Sequence, residues 1–216
     1  MNAPYINMHC HQILDPEELS ILNIHDPMDY DSNQLCSVGI HPWHVQEVIA
    51  RDRVDAFYRL IQNPNVRAIG ECGLDRMCAT PWEMQLDVFS MQIQWAIEWQ
   101  KPLMIHCVRS QQEVLKALKN FELGFVFHGF NRNLDMAVHV VNQGGYLSMN
   151  EKFLMTQQGI EVAKQIPLNR LFLETDNDPV SVRGAYLCLS QLLVISEKEI
   201  AQQFWQNTLE IGLIEG

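Results

Sequence analysis

His9 and His11 stand one residue apart, and the same kinds of side chain recur where later apolar runs end: His41, Glu71, His106, His128 and the triplet Glu174-Thr175-Asp176. Imidazole and carboxylate together suit zinc, manganese, iron or nickel, and carboxylates also accept magnesium. Residues two apart on a strand share a face, so the imidazoles of His9-Cys10-His11 point the same way and Cys10 points opposite. The same alternation turns Cys72 away from Glu71 and Cys107 away from His106, and these cysteines read as small packing residues rather than ligands. A lone H-x-H is a weak signal. Glu71, His106 or His128 taken singly fits a salt-bridge partner or a satisfied core histidine. Together they argue for metal, because burying unpaired charge costs several kcal/mol and a core without a cation would not collect two carboxylates and four histidines. His25, His44 and His139 lie outside the pattern, two in loops and one on a helix.

Side chains this far apart in the chain converge only if the elements carrying them end at one place. The sequence alternates short runs rich in Val, Ile, Leu and Phe with longer segments of helical spacing. Strands are expected over 5–9, 19–24, 35–40, 66–70, 102–106, 125–128, 146–149 and 171–175. Helices are expected over 46–61, 111–121, 134–142 and 156–165, with two more closing the chain, before 195 and over 197–211. The clearest helix starts at Thr80-Pro81, read as an N-cap followed by proline at the first helical position, with Glu83 three residues past the cap, and runs to about 100. Eight strands alternating with helices predict a parallel sheet and a TIM-type (β/α)8 barrel, a fold whose working residues gather at the carboxyl ends of the strands. A typical barrel takes about 250 residues. This 216-residue chain is therefore a trimmed one, and its 11–19 link, with Asp15-Pro16, has room for a loop in place of the first helix. An open doubly wound sheet is the competing arrangement, but no GxGxxG or GxxxxGK[ST] follows a strand.

Hydrophobic residues make up 47% of the chain and charged residues 19%, an ordinary globular composition with no linker, repeat or low-complexity segment to divide residues 1–216 into more than one domain. Fifteen Lys and Arg against 26 Asp and Glu give a net charge of −11, and the chain stays negative even with all eight histidines protonated. Such a chain is a poor general binder of phosphate backbones, so any nucleic-acid chemistry has to come from a local site carrying metal charge. No basic-then-apolar leader opens the sequence, and no apolar stretch approaches the about 20 residues that cross a bilayer, which reads as a soluble, cytoplasmic protein. The six cysteines form no CxxC pair and are expected to be reduced.

The ordered series His9-Cys10-His11, Gly39-Ile40-His41-Pro42, Gly70-Glu71-Cys72-Gly73-Leu74-Asp75, Ile105-His106-Cys107, Phe127-His128-Gly129-Phe130 and Glu174-Thr175-Asp176 resembles the TatD family, metal-dependent hydrolases of the amidohydrolase superfamily. The resemblance runs from His9 to about Asn207. It implies a TIM-type barrel and deoxyribonuclease activity at two divalent cations, with Mg²⁺, Mn²⁺, Zn²⁺ or Ni²⁺ as candidates. It also implies that His9, His11 and Asp176 hold the first ion and His106 and His128 the second. Glu71 would bridge both, where other amidohydrolases carry a carbamylated lysine. His41 is implied to sit beside the substrate as a phosphate contact. Two cations that clamp the attacking and leaving oxygens and bring the pKa of water toward about 7 suit phosphodiester hydrolysis. Asp176 would accept the water's proton. Arg109 and Arg132, just past strand ends, are candidate phosphate contacts. DNA is then the expected substrate of a monomer that needs neither an organic cofactor nor a membrane.

The chain also departs from the family pattern. The segment between His11 and Gly39 is shorter than in typical members, Gln12-Ile13 stands where Leu-Asp usually follows H-x-H, and Asn177-Asp178-Pro179-Val180 replaces the usual proline-rich stretch. These changes spare the ligands and alter the rim, which leaves open hydrolysis of a small ester, amide or phosphate. An inactive binding relative would have lost a ligand, and none is lost.

Overall fold

The computed structural model describes residues 3–31 and 33–214. Among them run eight strands: β1 (Ile6–Cys10), β2 (Leu19–Ile24), β3 (Cys36–Val38), β4 (Val66–Asp75), β5 (Leu103–Val108), β6 (Phe125–Phe127), β7 (Tyr146–Met149) and β8 (Leu171–Leu173). The strands are parallel, and their order in the sheet follows their order in the chain. Helices α1 (Val45–Ala50) and α2 (Val54–Ile61) follow β3, α3 (Trp82–Trp99) follows β4, and α4 (Gln111–Ala117) follows β5. After β6 comes α5 (Leu134–Asn142), after β7 come α6 (Glu151–Leu154) and α7 (Gln157–Gln165), and after β8 come α8 (Arg183–Leu193) and α9 (Glu197–Glu210). This is the expected (β/α)8 order, and no helix lies between β1 and β2 among the described residues. No helix there is long and apolar enough to cross a membrane. The chain divides into two compact units, Met1–Leu22 with Val126–Gly216, and Asn23–Phe125.

In the first unit, β1 shows the strand alternation plainly. Ile6, Met8 and Cys10 form its apolar face and Asn7 and His9 the other, and all five are buried. The Tyr186 hydroxyl of α8 accepts the Ile6 N–H at 2.8 Å and donates to the Ile6 carbonyl at 3.3 Å. On the polar face the Asn7 amide exchanges two hydrogen bonds with Thr175, at 3.0 and 3.1 Å. The chain leaving β8 then runs beside the end of β1: the Asp176 N–H donates to the His9 carbonyl at 3.0 Å and the His11 N–H to the Asp176 carbonyl at 3.1 Å.

In the second unit, β4 runs well past the expected end at Gly70. Gly70 has φ 150° and Gly73 φ 140°, and a Cβ on them would lie 2.3 Å from the Met104 carbonyl and 2.1 Å from the His106 carbonyl. The glycines therefore let β4 and β5 close up instead of ending the strand. Glu71 lies inside β4, not at its end.

Other expectations shift for equally local reasons. The 46–61 helix is two helices, broken where Asp52 takes a left-handed φ of 51°, a conformation aspartate tolerates better than most residues, and where the Arg53 side chain pairs with Asp26. Thr80 does not cap α3. Extended Pro81 occupies the cap, while the Gln85 amide donates to the Thr80 carbonyl at 2.9 Å and accepts the Asp75 N–H at 2.8 Å. The 111–121 helix ends at Ala117, and a tighter turn follows with the Phe121 N–H on the Leu118 carbonyl at 3.0 Å. Helix α6 was not expected, and it starts where Asn150 caps the Phe153 N–H at 2.9 Å. Strand and helix bounds over 19–24, 134–142 and 146–149 match. The remaining strand ends move by one or two residues.

Gln92 of α3 is fully buried, and its side chain accepts the Ile40 N–H at 2.6 Å and donates to the Ile40 carbonyl at 3.0 Å. Gln92→Leu keeps the volume and strands both backbone groups, so it should cost about 2–4 kcal/mol. Urea unfolding should show a lower midpoint with an unchanged slope, and a loss below about 1 kcal/mol would contradict this role.

Candidate metal centre

Within the first unit, β1 and the segment after β8 bring three predicted ligands onto one carboxylate oxygen. Asp176 Oδ1 lies 3.6 Å from His9 Nε2 and 3.3 Å from His11 Nε2. Asp176 holds that position in a left-handed backbone, φ 53°, fixed by its bonds to the His9 and His11 main chain. His128 follows β6, and its ring packs on His9 with centroids 4.3 Å apart. His9, His128 and Asp176 each offer a ligand atom within 4.8 Å of the others. Behind His128 stands Glu174, almost wholly buried, whose Oε1 accepts the Gly129 N–H at 2.6 Å and lies 3.6 Å from His128 Nδ1. Gly129, at φ 55°, provides the turn that makes this approach.

Within the second unit a separate group forms around Glu71. Its Oε1 lies 3.3 Å from His106 Nδ1 and 3.6 Å from His41 Nε2, and its Oε2 accepts the Asn23 amide at 2.7 Å. Asn23 also accepts the Glu71 N–H at 3.1 Å and the Ser37 hydroxyl at 3.3 Å, so one neutral side chain at the second strand clamps Glu71 by its carboxylate and by its main chain. His106 Nε2 faces Asp75 Oδ2 at 3.3 Å, and the Trp43 indole N–H donates to the same oxygen at 2.6 Å. Burial pushes the Asp75 carboxyl up, but the Trp43 indole, the Met77 amide and His106 outweigh it and hold Asp75 below the usual carboxylate range. His41 Nδ1 accepts the Trp43 N–H at 3.1 Å. Neutral His41 therefore carries its proton on Nε2, as a donor rather than a ligand.

These spacings fit cations. Two donor atoms about 2.1 Å from one ion, spread at the tetrahedral angle, lie about 3.4 Å apart. The chemistry of the donors points the same way. A carboxylate oxygen only accepts, so His106, with one carboxylate at each ring nitrogen, needs a second proton or a cation between Nδ1 and Glu71. A carboxylate behind a ligating imidazole, as Asp75 is to His106 and Glu174 to His128, is the usual support of a metal site.

The cysteines stay out of both groups. All six are free, and burial pushes the thiols of Cys10 and Cys36 up to about 12 and that of Cys72 up as well, so they remain protonated and poor ligands. Arg109, exposed just past β5 with φ 52°, and half-buried Arg132, between β6 and α5, belong to neither group. His44 occupies the N-cap position of α1, 6.0 Å from the His25 ring, and His139 is exposed on α5. Sequence reasoning assigned no role to Asn23, Trp43, Asp75 or Glu174. Alternation from Glu71 through Gly73 to Asp75 was the available signal for Asp75, hidden by ending the strand at Gly70. A neutral asparagine in a strand gives no such signal.

Imidazoles and carboxylates gathered in this way on a (β/α)8 chain are a donor set of the kind metal-dependent hydrolases use. A family model described as TatD related DNase matches residues 10–211, and the chain belongs to that family. A protein of Buchnera aphidicola subsp. Baizongia pistaciae, named "Uncharacterized metal-dependent hydrolase", is 30% identical over 186 residues, covering 79% of this chain and 69% of its own length. The "3'-5' ssDNA/RNA exonuclease TatD" of Citrobacter koseri is 31% identical over 148 residues, covering 65% of this chain and 56% of its own. The crystal structure of YJJV, a TatD homolog from Escherichia coli K12, superposes with a TM-score of 0.82 at 21% identity, covering 99% of this chain and 100% of that one, and this likeness shows the TIM-type barrel fold.

Asn23→Ala removes the clamp on Glu71 without touching a ligand. Divalent-ion affinity should fall about 10- to 100-fold, read by calorimetric titration, with the circular dichroism spectrum unchanged. Unaltered affinity would show that Asn23 does not orient Glu71.

Proposed function

We propose that residues 1–216 act as one metal-dependent deoxyribonuclease that hydrolyses phosphodiester bonds, using two divalent cations of the Mg²⁺, Mn²⁺, Zn²⁺ or Ni²⁺ class and no organic cofactor. The observation that carries this reading is the approach of imidazole nitrogens to Asp176 and Glu71 at 3.3–3.6 Å. Membership of the TatD family and the activity printed for the Citrobacter koseri relative support DNA as the substrate. His9, His11 and Asp176 would hold one cation and Glu71 and His106 the other; His128, expected on the second ion, would join the first, a change supported by its ring packing on His9. When bound, such ions neutralise phosphate charge and lower the pKa of water toward about 7.

The protein's own groups do the rest. Asp176, about one-third exposed, accepts a proton from the attacking water on its carboxylate. Glu174 and Asp75 fix the His128 and His106 rings, so neither imidazole has to reorganise. His41 presents Nε2–H to a phosphate oxygen, and its bond from the Trp43 N–H supports that role. Arg109 and Arg132 meet further phosphates. The protein acts as a monomer in the cytoplasm, a placement the free cysteines support.

The test is incubation of the purified protein with end-labelled single- and double-stranded DNA and each cation in turn. Cleavage should appear with at least one ion and vanish with EDTA. Asp176→Asn and His106→Ala should each slow it about a hundredfold or more. Elemental analysis should find close to two ions per chain. Absence of cleavage with any ion, from protein shown to bind that ion, would overturn DNA as the substrate.

A further inference from the structure

Trp43 is 59% exposed, and Met77, across a cavity of about 320 Å³, is 61% exposed. Gln46, Cys78 and Thr80 complete the walls, with Asp75 at the base. Leaving an indole this far in water forfeits burial that a core tryptophan would gain. The ring is nonetheless fixed, because its N–H is tied to Asp75 at 2.6 Å and its edge meets the His41 ring with centroids 4.9 Å apart. Asp75 is also the partner of His106, whose ring lies 6.1 Å from the indole. The exposed aromatic surface is thus continuous with the Glu71–His106 group, one hydrogen-bonded carboxylate away from a proposed ligand.

Resting on the nuclease reading, we propose that Trp43, with Met77 facing it, is a stacking platform for a nucleobase of a single-stranded substrate, one that flanks the phosphate being cleaved. Charge favours this occupant. A chain of net charge −11 gains little from the phosphate backbone outside its metal site, whereas stacking draws on the uncharged face of the base. A duplex keeps its base faces stacked on one another, so the platform selects single strands and frayed ends. Every base has such a face, so the platform confers strand preference with little sequence preference.

The test uses single-stranded oligonucleotides in which one abasic residue is moved through the positions flanking the cleaved bond. For the wild type, the abasic residue at one position should lower kcat/KM about 5- to 100-fold against the intact strand. Trp43→Phe keeps an aromatic face and should keep most of that ratio. Trp43→Ala should cleave intact and abasic strands at rates within about twofold of each other. The ratio is blind to general damage from losing the indole–Asp75 bond, since both strands meet the same enzyme. If Trp43→Ala is too slow to follow, fluorescence anisotropy of the same strands reads the ratio from binding. Wild-type protein that cleaves all strands equally, or Trp43→Ala that discriminates as the wild type does, overturns the platform and leaves the nuclease standing. Wild-type protein that cleaves no strand with any cation removes both.

Discussion

A carboxylate oxygen and the lone pair of an imidazole nitrogen repel one another, yet this fold sets His11 Nε2 against Asp176 Oδ1 and His106 Nδ1 against Glu71 Oε1, each at 3.3 Å. His9 and Glu71 are buried besides, where bulk water cannot soften the repulsion. A proton on the nitrogen or a cation between the two atoms makes such a contact favourable. Donors gathered and buried in this way would hold a divalent ion tightly. Much of the surrounding structure exists to stop the donors from turning away from one another.

It does so with main chain more than with side chains. Asp176 is placed by two backbone bonds to the residues that flank Cys10, so a carboxylate far along the sequence shares a frame with His9 and His11. Glu71 sits within a strand whose glycines admit the neighbouring carbonyls of Met104 and His106. Outside the candidate ligands comes a layer of supporting groups, each beside one ring or one carboxylate: Asn23 beside Glu71, Asp75 beside His106, Glu174 beside His128. Replacing a member of this outer layer leaves the count of ligands intact and loosens their aim.

Strand alternation made part of this legible in the sequence. His9 and His11 do share a face, and both reach Asp176. Helix α5 was legible because Gly144-Gly145 stops it, a local signal, and the Asn133 cap fixes its other end. The extension of β4 was not, because glycine reads as a stop unless one knows that another backbone needs its space. The break at Asp52 escaped for a similar reason: a helical apolar pattern spans 46–61, and a single left-handed residue interrupts it. The candidate ligands were picked out by residue type. Asn23 and Trp43 act through contacts that only the fold creates, and nothing in their immediate neighbours marks them; Glu174 stood in the triplet with Asp176, but its contact with Gly129 is equally a product of the fold.

The unit that carries His9 and His11 is built from two separated stretches, Met1–Leu22 and Val126–Gly216. During synthesis the two imidazoles leave the ribosome before Asp176 does, by roughly 10–30 s at ordinary elongation rates. Over that interval they are an H-x-H on an unfinished chain, free to take up whatever ion the surroundings offer, before any geometry exists to choose among them. A metal held at this site would thus be subject to two selections, an early one by abundance and a late one by fit.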